Sequence, residues 1–538
     1  MQIKSFPIVV GVLICQLAGA ETTVPNHPKL TVADGPFQAN WESLTNYTTP
    51  DWFRDAKFGI WAHWGPQCEP EQGDWYAKSM YQQGSGDYKY QVEHFGHPSK
   101  AGFKEVIHAW KAEKFNADDL LSFYKENGAK YFMALANHHD NFDNYNSKYQ
   151  PWNSVNVGPH KDLIGEWAAA ARKNGLRFAV SVHAGRAWSW LEVAQGADTN
   201  GPLAGVPYDG KLTKADGKGL WWDSLDPQDL YIQNHAKGAK MDQAYCEKFY
   251  LRTKQLWDDY KPDQIYFDDG VMPIQQGGKE YGLNLFAHFY NSSIQWHGQN
   301  EAVINTKGLN EMQRKAVVYD IERGKSPDIL PEPWQTDTCI GQWHYNRGIF
   351  EKHGYKKPGA VIPMLVDIVS KNGNLMLSVP VRGDGTIDDD ERQTVAGIGA
   401  WLKVNGDAIY GTRPWQIYGE GPSTTAAVET NHFGGIKDVG SKPFTADDIR
   451  FTTNGQILYA IVLAWPANGK VTIQSLAESS PHWLGKIGEV KLLGCQDKLT
   501  WKRDAKGLHI ILPKKKPCEI AYALQIIPAA TNAAPKAF

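Results

Sequence analysis

Between residues 57 and 404, short apolar segments alternate with amphipathic segments, and this alternation constrains the fold more than any other feature of the chain. The short segments favour β-strands and span residues 57–64, 130–136, 176–183, 264–267, 302–306, 337–343 and 375–380. The amphipathic segments favour helices and span residues 118–127, 163–174, 241–260, 283–296, 361–371 and 390–404. Such alternation predicts parallel strands joined by crossover helices. We therefore predict a (β/α)8-like barrel domain over residues 21–414, although fewer than eight strand–helix pairs are recognisable.

The pattern changes after about residue 415. Short alternating segments separated by polar turns follow, at residues 457–464, 470–474, 490–493, 508–512 and 520–527. This pattern predicts a C-terminal all-β sandwich over residues 415–528. The Ala- and Pro-containing residues 529–538 are predicted to form a disordered tail.

Residues 1–20 have the form of a signal peptide. Lys4 supplies the positive charge, residues 8–17 form an apolar run, and Ala18-Gly19-Ala20 resembles a cleavage site. The apolar run is too short to span a membrane, and no later stretch approaches the ~20 apolar residues that a spanning helix needs. The sequence therefore predicts a soluble, exported protein, either secreted or periplasmic.

Five cysteines remain outside the signal-like segment, and none is spaced as CxxC. This count and spacing disfavour a metal site built from cysteines. Cys495 and Cys518 form the most plausible disulfide pair, and a fully reduced set is the alternative.

Charge and composition narrow the class of partner. The formal net charge is -3, which gives no reason to expect binding to nucleic acid or to an anionic membrane surface. The chain is unusually aromatic, with 21 Trp, 24 Tyr and 20 Phe. Aromatic rings fill cores, but they also stack on the flat C–H faces of sugars in binding clefts.

Two long segments, residues 74–105 and 195–235, interrupt the alternation of strands and helices. Loops of this length are commonly lids or binding loops. Their aromatic content leads us to expect ordered loops over the barrel mouth, with Trp221 and Trp222 in the cleft.

Polar residues stand where several predicted strands end. Asp268 and Asp269 follow one strand, and histidines end three others: His63, His138-His139 and His183. Because the carboxyl ends of barrel strands carry the chemistry, these residues form a candidate site. A metal centre is the rival interpretation, but the spacing matches neither HExxH nor HxH. Adjacent strand residues point to opposite faces, so His138 and His139 are not expected to share an ion, and we predict no metal.

A glycosidase site needs two carboxyl groups, one as nucleophile and one as acid. Asp268 is the obvious nucleophile, whereas Asp269 is read as structural. Glu322 and Glu332 both lie between the strand at 302–306 and Trp334, and both are candidates for the acid.

Several motifs together resemble glycoside hydrolase family 29, the α-L-fucosidases. The segments that carry the resemblance lie between about residues 41 and 415 and read FGIWAHWG, QGDWYAKSMY, YFMALANHHDNFDNYNS, IYFDDG, PWQTDTCIGQWHY and GNLMLSVPVRGDGTI. The resemblance implies that Asp268 is the nucleophile. It also implies that His63, Asp74, Trp75, His138 and His139 hold the sugar. We further predict that His183 and Trp334 bind it.

The chain departs from the family pattern at several positions. Asp74 replaces a Glu, Tyr266 a Trp and Asn141 a Gly. More seriously, many members carry Trp-Glu where this chain has Trp334-Gln335, and a Gln cannot donate a proton. Since the acid varies in position between subgroups, we assign it to Glu322, in Ile321-Glu322-Arg323-Gly324, with Glu332 or loss of the acid as alternatives.

The sequence therefore predicts a retaining exo-α-L-fucosidase that needs no cofactor or metal and acts on fucosylated oligosaccharides or polysaccharides. Three alternatives remain open: a catalytically impaired fucose-binding protein, a metal-dependent hydrolase, and a glycosidase for a related sugar such as α-L-galactose.

Overall fold

The computed structural model describes residues 30–232, 235–268, 279–425, 436–437 and 443–529. The strands are β1 (Phe58–Ala62), β2 (Tyr131–Asn137), β3 (Arg177–Val182), β4 (Gln264–Phe267), β5 (Val303–Thr306), β6 (Val318–Asp320), β7 (Gly324–Lys325), β8 (Trp334–Cys339), β9 (Gly373–Ser378), β10 (Arg413–Glu420), β11 (Ile436–Lys437), β12 (Ile449–Asn454), β13 (Ile457–Val462), β14 (Lys470–Ile473), β15 (Ile487–Leu492), β16 (Thr500–Asp504), β17 (Gly507–Ile511) and β18 (Tyr522–Pro528). The helices are α1 (Trp41–Leu44), α2 (Asp51–Ala56), α3 (Tyr76–Ser79), α4 (Gly86–His94), α5 (Phe103–Ala109), α6 (Ala117–Glu126), α7 (Leu163–Lys173), α8 (Ala187–Trp190), α9 (Pro227–Tyr231), α10 (Gln243–Tyr260), α11 (Lys279–His297), α12 (Glu311–Arg314), α13 (Arg347–Glu351), α14 (Pro358–Ser370) and α15 (Asp389–Asn405).

Eight of these strands form a closed parallel barrel, in the order β1-β2-β3-β4-β5-β6-β8-β9, and β9 pairs back with β1. Strands such as β2 and β9 are buried along their whole length. Continuous burial is typical of barrel strands, because helices cover the outer face while side chains fill the interior. The predicted barrel is therefore confirmed.

The sequence did not predict β6, and it placed β8 three residues too late. With only three residues, β6 is too short to give a periodic signal. The predicted strand began at Asp337 and left Gln335 outside it, yet both polar residues belong to β8 and are buried. They alternate on the strand and bond other polar side chains in the barrel interior.

Two antiparallel sheets follow the barrel. One has five strands in the order β10-β12-β13-β18-β15, and the other has three in the order β14-β17-β16. Apolar side chains from both sheets meet in one core, which includes Leu458, Ile473, Ile510 and Leu524. The predicted C-terminal all-β sandwich is thus confirmed.

A buried ion cluster connects this sandwich to the barrel. Asp367 on α14 contacts Arg450 on β12 at 2.6 Å and Lys371 at 3.0 Å. All three side chains are buried, so the cluster is a specific contact between the two parts of the chain.

The predicted cysteine pair does not form a disulfide, and several other predictions fall outside the described residues. Cys495 and Cys518 are not joined by a disulfide, and the Cys518 thiol lies 3.6 Å from Asn405 Nδ2. The signal-like residues 1–20, Asp269 and residues 530–538 of the tail lie outside the described residues.

No helix in the described part of the chain combines the length and the apolar character needed to cross a membrane.

Candidate active site

A cavity of about 610 Å³ opens at the carboxyl ends of the barrel strands. Its wall includes every predicted site residue except Asp74 and Trp334, namely His63, Trp75, His138, His139, His183, Asp268 and Glu322. The barrel thus brings together residues that are more than 250 positions apart in the chain.

Lys307 joins the two predicted catalytic carboxylates. It directly follows β5, and its Nζ lies 2.8 Å from Asp268 Oδ1 and 2.6 Å from Glu322 Oε2. These contacts limit the distance between the two oxygens to the sum of the two lengths, about 5.4 Å. The lysine side chain is only 1% exposed, so these contacts are made out of bulk water.

Asp268 is held in its charged form. Burial by itself would raise the pKa of this carboxyl, but the charge of Lys307 and the nearby imidazoles of His139 and His183 hold the pKa well below its usual range. His183 Nδ1 lies 3.3 Å and His139 Nε2 3.4 Å from Asp268 Oδ2. A carboxylate with this environment is ionised at neutral pH, as a nucleophile requires.

Three of the cavity histidines are neutral at the same pH. Burial lowers the pKa of His63 and of His138 well below the usual range, and neighbouring imidazoles add to the effect. Burial also lowers the pKa of His183 to about 4, against the opposing effect of Asp268. A neutral imidazole has one donor and one acceptor nitrogen, which suits it to bind sugar hydroxyls.

His138 and His139 both face the cavity, so the expectation that they point apart is wrong. Strand β2 ends at Asn137, and the backbone turns there, with Asn141 N donating to His138 O at 3.1 Å. Strand alternation therefore does not apply to these two residues. Ligand atoms of His138, His139 and His183 lie within 4.8 Å of one another, so these three side chains could hold a metal ion.

Asp74 lies behind the histidines rather than on the cavity wall. Its Oδ1 accepts a hydrogen bond from His344 N at 2.8 Å and lies 3.4 Å from the His344 ring. The His344 ring packs against that of His138, with centroids 4.6 Å apart. The structure thus assigns Asp74 to the support of His344.

Trp75, the next residue, does reach the cavity, and its side chain is 59% exposed. Its backbone is left-handed, with φ 68°, an unusual conformation for a bulky residue. Such a strained and exposed indole is typical of a functional position.

Trp334 and Glu332 lie away from the cavity, which corrects the expectations for both. Trp334 is the first residue of β8, and its indole donates to Lys371 O at 2.7 Å and packs against Gly373. Glu332, just before it, is exposed. Both lie at the amino end of a parallel strand, opposite the end at which the cavity opens.

Trp221 and Trp222 also lie outside the cavity wall. Trp221 stacks on His108 at 4.1 Å and donates to Glu105 at 2.9 Å, whereas Trp222 is buried beneath Lys104. Residues 74–105 supply Trp75 and Lys78 to the cavity, whereas Trp221 and Trp222 do not reach it, so the expected contribution of these two segments is only partly met.

Sequence reasoning placed several residues of the cavity wall outside the site, among them Lys307, Asp337 and Trp343. Lys307 is a charged residue directly after a strand, so the rule that found the histidines could have found it too. The predicted strand 337–343 put Asp337 at its amino end, whereas Asp337 lies in the middle of β8. Trp343, whose ring lies 4.9 Å from that of His63, was the last residue of that predicted strand, so the rule for strand ends could have found it.

Comparisons with known proteins agree with this geometry. The sequence profile described as Alpha-L-fucosidase matches residues 26–407, and that of the Alpha-L-fucosidase C-terminal domain matches residues 442–527. The tissue alpha-L-fucosidase of Homo sapiens is 27% identical over 493 residues, covering 90% of this chain and 89% of that protein. The alpha-L-fucosidase of Branchiostoma floridae is 26% identical over 508 residues, covering 91% of this chain and 95% of that protein.

Solved structures show the same relationship. The alpha-fucosidase of Thermotoga maritima, crystallised with a mechanism-based inhibitor, matches with a TM-score of 0.68 and 27% identity. The same enzyme in complex with fucose matches with a TM-score of 0.65 and 27% identity. Each match covers 91% of this chain and 100% of the other. With this barrel, this cavity and a profile match over most of its length, the chain belongs to the α-L-fucosidase family, glycoside hydrolase family 29, and is a glycoside hydrolase.

Proposed function

We propose that this protein is an exported, retaining exo-α-L-fucosidase, with Asp268 as nucleophile and Glu322 as acid/base. The observation that carries the proposal is the position of Lys307 between the two carboxylates. A limit of about 5.4 Å between their oxygens supports a retaining pair, because retaining enzymes hold their carboxyl groups about 5–5.5 Å apart. Inverting enzymes need about 6.5–9.5 Å to admit a water molecule.

In the first step, an Asp268 oxygen attacks the anomeric carbon while Glu322 gives its proton to the glycosidic oxygen. The C–O bond to the leaving group breaks, and an alcohol departs with that proton. The products of this step are a β-fucosyl ester on Asp268 and an ionised Glu322.

In the second step, Glu322 takes a proton from water as the water oxygen attacks the anomeric carbon. The ester bond breaks, Asp268 leaves as a carboxylate, and α-L-fucose is released. Each step inverts the anomeric centre, so the overall result is retention.

Lys307 suits both stages of this reaction. Before the first step its counter-charge is Asp268, and in the intermediate, where Asp268 is a neutral ester, its counter-charge is Glu322. The ammonium contacts both oxygens directly, so one fixed cation can stabilise either carboxylate without moving.

The rest of the cavity suits a single terminal sugar. Neutral imidazoles of His63, His138 and His183 provide donors and acceptors for hydroxyl groups. The rings of Trp61 and Trp343 supply apolar faces for the C–H side of the sugar. This composition supports exo action on the terminal α-L-fucosyl residue of an oligosaccharide or polysaccharide.

Export is proposed from the signal-like form of residues 1–20. Fractionation of cells that express the full chain, with N-terminal sequencing of the product, tests it. An intact N-terminus on a cytoplasmic product would contradict export.

The mechanism is tested by following hydrolysis of an aryl α-L-fucoside by ¹H NMR. We expect α-L-fucose to appear first and the β anomer only later, through mutarotation. First appearance of the β anomer would contradict retention. Binding of fucose without any turnover would instead identify a catalytically impaired fucose-binding protein.

A further inference from the structure

Two buried carboxyl groups lie next to Lys307 that the mechanism above does not use. Asp320, the last residue of β6, is 0% exposed, and Asp337, in the middle of β8, is 1% exposed. Asp337 forms part of the cavity wall. Burial of a carboxyl group costs free energy, above all when the group is ionised. Two buried carboxyl groups side by side therefore need a physical explanation.

Hydrogen bonds account for one oxygen of each group. Tyr266 Oη donates to Asp337 Oδ2 at 2.8 Å, and Gln335 Nε2 donates to Asp320 Oδ1 at 3.1 Å. The remaining oxygens, Asp337 Oδ1 and Asp320 Oδ2, are buried and accept from no donor in the described part of the chain. Asp320 pairs with Gln335 across β6 and β8, so Asp337, two residues further along β8, faces the same side and lies beside Asp320. A proton on one of the two groups supplies the donor that their remaining oxygens lack.

We propose that Asp320 and Asp337 share one proton and act as a positioning pair, in which Asp337 carries a negative charge that helps Glu322 to retain its proton beside Lys307. This inference rests on the proposed role of Glu322 as the acid. Neither aspartate is proposed to touch the reacting atoms.

The charges around the cavity explain why such a pair is useful. An ammonium group 2.6 Å from Glu322 favours loss of the proton that the acid must donate. A negative charge on Asp337, which also interacts with Lys307 and Glu322, opposes that effect. The charged and titratable groups that face Asp337 lie on or directly after β4, β5 and β6 and are Tyr266, Asp268, Lys307, Asp320 and Glu322.

The ionisation of the pair fits this role. Burial raises the pKa of Asp337 to about 6, with Lys307 opposing and Glu322 reinforcing the shift. Burial and the adjacent Asp337 raise the pKa of Asp320 well above its usual range. Above about pH 6 the pair therefore holds one proton and one negative charge.

Two isosteric variants separate the roles of the two aspartates. Asp337→Asn removes the negative charge, so the basic limb of the kcat/KM profile on an alkyl α-L-fucoside should move to lower pH by about one unit. Asp320→Asn replaces the protonated acid by an amide that donates to the same Asp337 oxygen. The basic limb of this matched variant should therefore stay in place.

An infrared measurement on the wild type gives a second readout. The difference spectrum between wild type and Asp320→Asn at pH 8 should contain a protonated-carboxyl C=O band that belongs to the wild type. This measurement does not depend on whether Asp337→Asn folds.

The inference is overturned if that band is absent, if Asp337→Asn leaves the basic limb in place, or if both variants move it equally. Glu322→Ala, assayed in parallel on alkyl and aryl fucosides, tests the proposed role of Glu322 independently of the aspartate pair. If Glu322→Ala lowers kcat/KM equally on alkyl and aryl fucosides, the assignment of Glu322 as the acid is contradicted. The infrared band, in contrast, reports only on the aspartate pair.

Discussion

The side-chain amide of Gln335 donates a hydrogen bond to Asp320 Oδ1 at 3.1 Å, inside the barrel. Its carbonyl oxygen accepts from Gln264 Nε2 at 3.0 Å and from Tyr131 Oη at 3.3 Å. Gln335 is fully buried and does not form part of the cavity wall. The position where many members of the family carry Trp-Glu therefore contributes to a buried amide network here, and the Gln335 side chain does not reach the cavity.

Removal of the nucleophile should abolish turnover. Asp268→Gly should lower kcat by on the order of 10⁴-fold or more, because the covalent step is lost. Added azide should partly restore the rate and give β-fucosyl azide, detected by NMR. Asp263, at the opposite end of β4, contacts Arg177 at 2.6 Å and offers the matched control, since Asp263→Ala should affect stability but not the chemical step. Ordinary activity in Asp268→Gly would contradict the assignment.

Removal of the acid should depend on the leaving group. Glu322→Ala should lose on the order of 10²–10⁴-fold in kcat/KM on fucosides with sugar leaving groups, which need protonation. An activated aryl fucoside needs little protonation and should be affected far less. Glu332→Ala is the matched control, because Glu332 is exposed and outside the cavity, and it should show neither effect. Equal losses on both substrates for Glu322→Ala would point to a binding role.

Removal of Lys307 should change the acidic limb of the pH profile. Lys307 and two histidines hold the pKa of Asp268 low against the effect of burial. In Lys307→Met, the effect of burial on Asp268 is no longer offset by the lysine charge, so the pKa of Asp268 should rise. The acidic limb of kcat/KM should therefore move to higher pH by about one unit or more. Lys104 is equally buried and contacts Asp209 at 3.3 Å outside the cavity, so Lys104→Met should leave the limb in place. An unchanged limb in Lys307→Met would contradict this account.

The ion cluster between barrel and sandwich should stabilise the fold in a pH-dependent way. Burial raises the pKa of Asp367, but Lys371, Arg450 and Lys325 outweigh it and hold the pKa below its usual range. Asp367→Ala should lower the free energy of unfolding at pH 7 by about 3–5 kcal/mol, because it leaves buried cations unpaired.

The sign of the pH effect follows from that lowered pKa. The contribution of Asp367 is present above the usual carboxyl pKa of about 4 and is lost as the pH falls towards the folded-state value. The difference between wild type and Asp367→Ala in urea unfolding should therefore shrink from pH 7 to pH 3. Asp118, in an exposed pair with Lys173, is the control, and Asp118→Ala should cost less than about 1 kcal/mol. A difference that is constant with pH would contradict the role of the Asp367 charge.

Activity should not require a metal. His138, His139 and His183 could hold an ion, but their proposed role is to bind sugar hydroxyls and Asp268. Dialysis against a chelator should leave kcat/KM unchanged, and metal analysis of the dialysed protein is the control. Loss of activity that Zn²⁺ restores would favour the metal-dependent hydrolase.

Much of the fold and part of the site followed from local sequence patterns. The segment Gln264–Phe267 is apolar and bounded by Pro262 and Gly270, so its limits were predictable. Because the carboxyl ends of parallel barrel strands share one face, its terminal Asp268 and the histidines that end other strands could be placed in one site. These predictions needed only periodicity and the rule for barrel strand ends.

Tertiary structure decided the partners of these residues. Asp268 and Glu322 each contact Lys307, which is 39 positions from one and 15 from the other, and no local pattern reports such contacts. Tertiary structure also decided where β8 begins, at Trp334. In a sequence, polar residues such as Gln335 favour a loop, and only their partners on other strands explain why they are buried in a strand. Hydrogen bonds to side chains on other strands account for the burial of Gln335 and Asp337 in β8. Burial raises the pKa of Asp337, and Lys307 opposes that effect. Local sequence determines which elements form, whereas the ionisation of a carboxyl group depends on which distant side chains surround it.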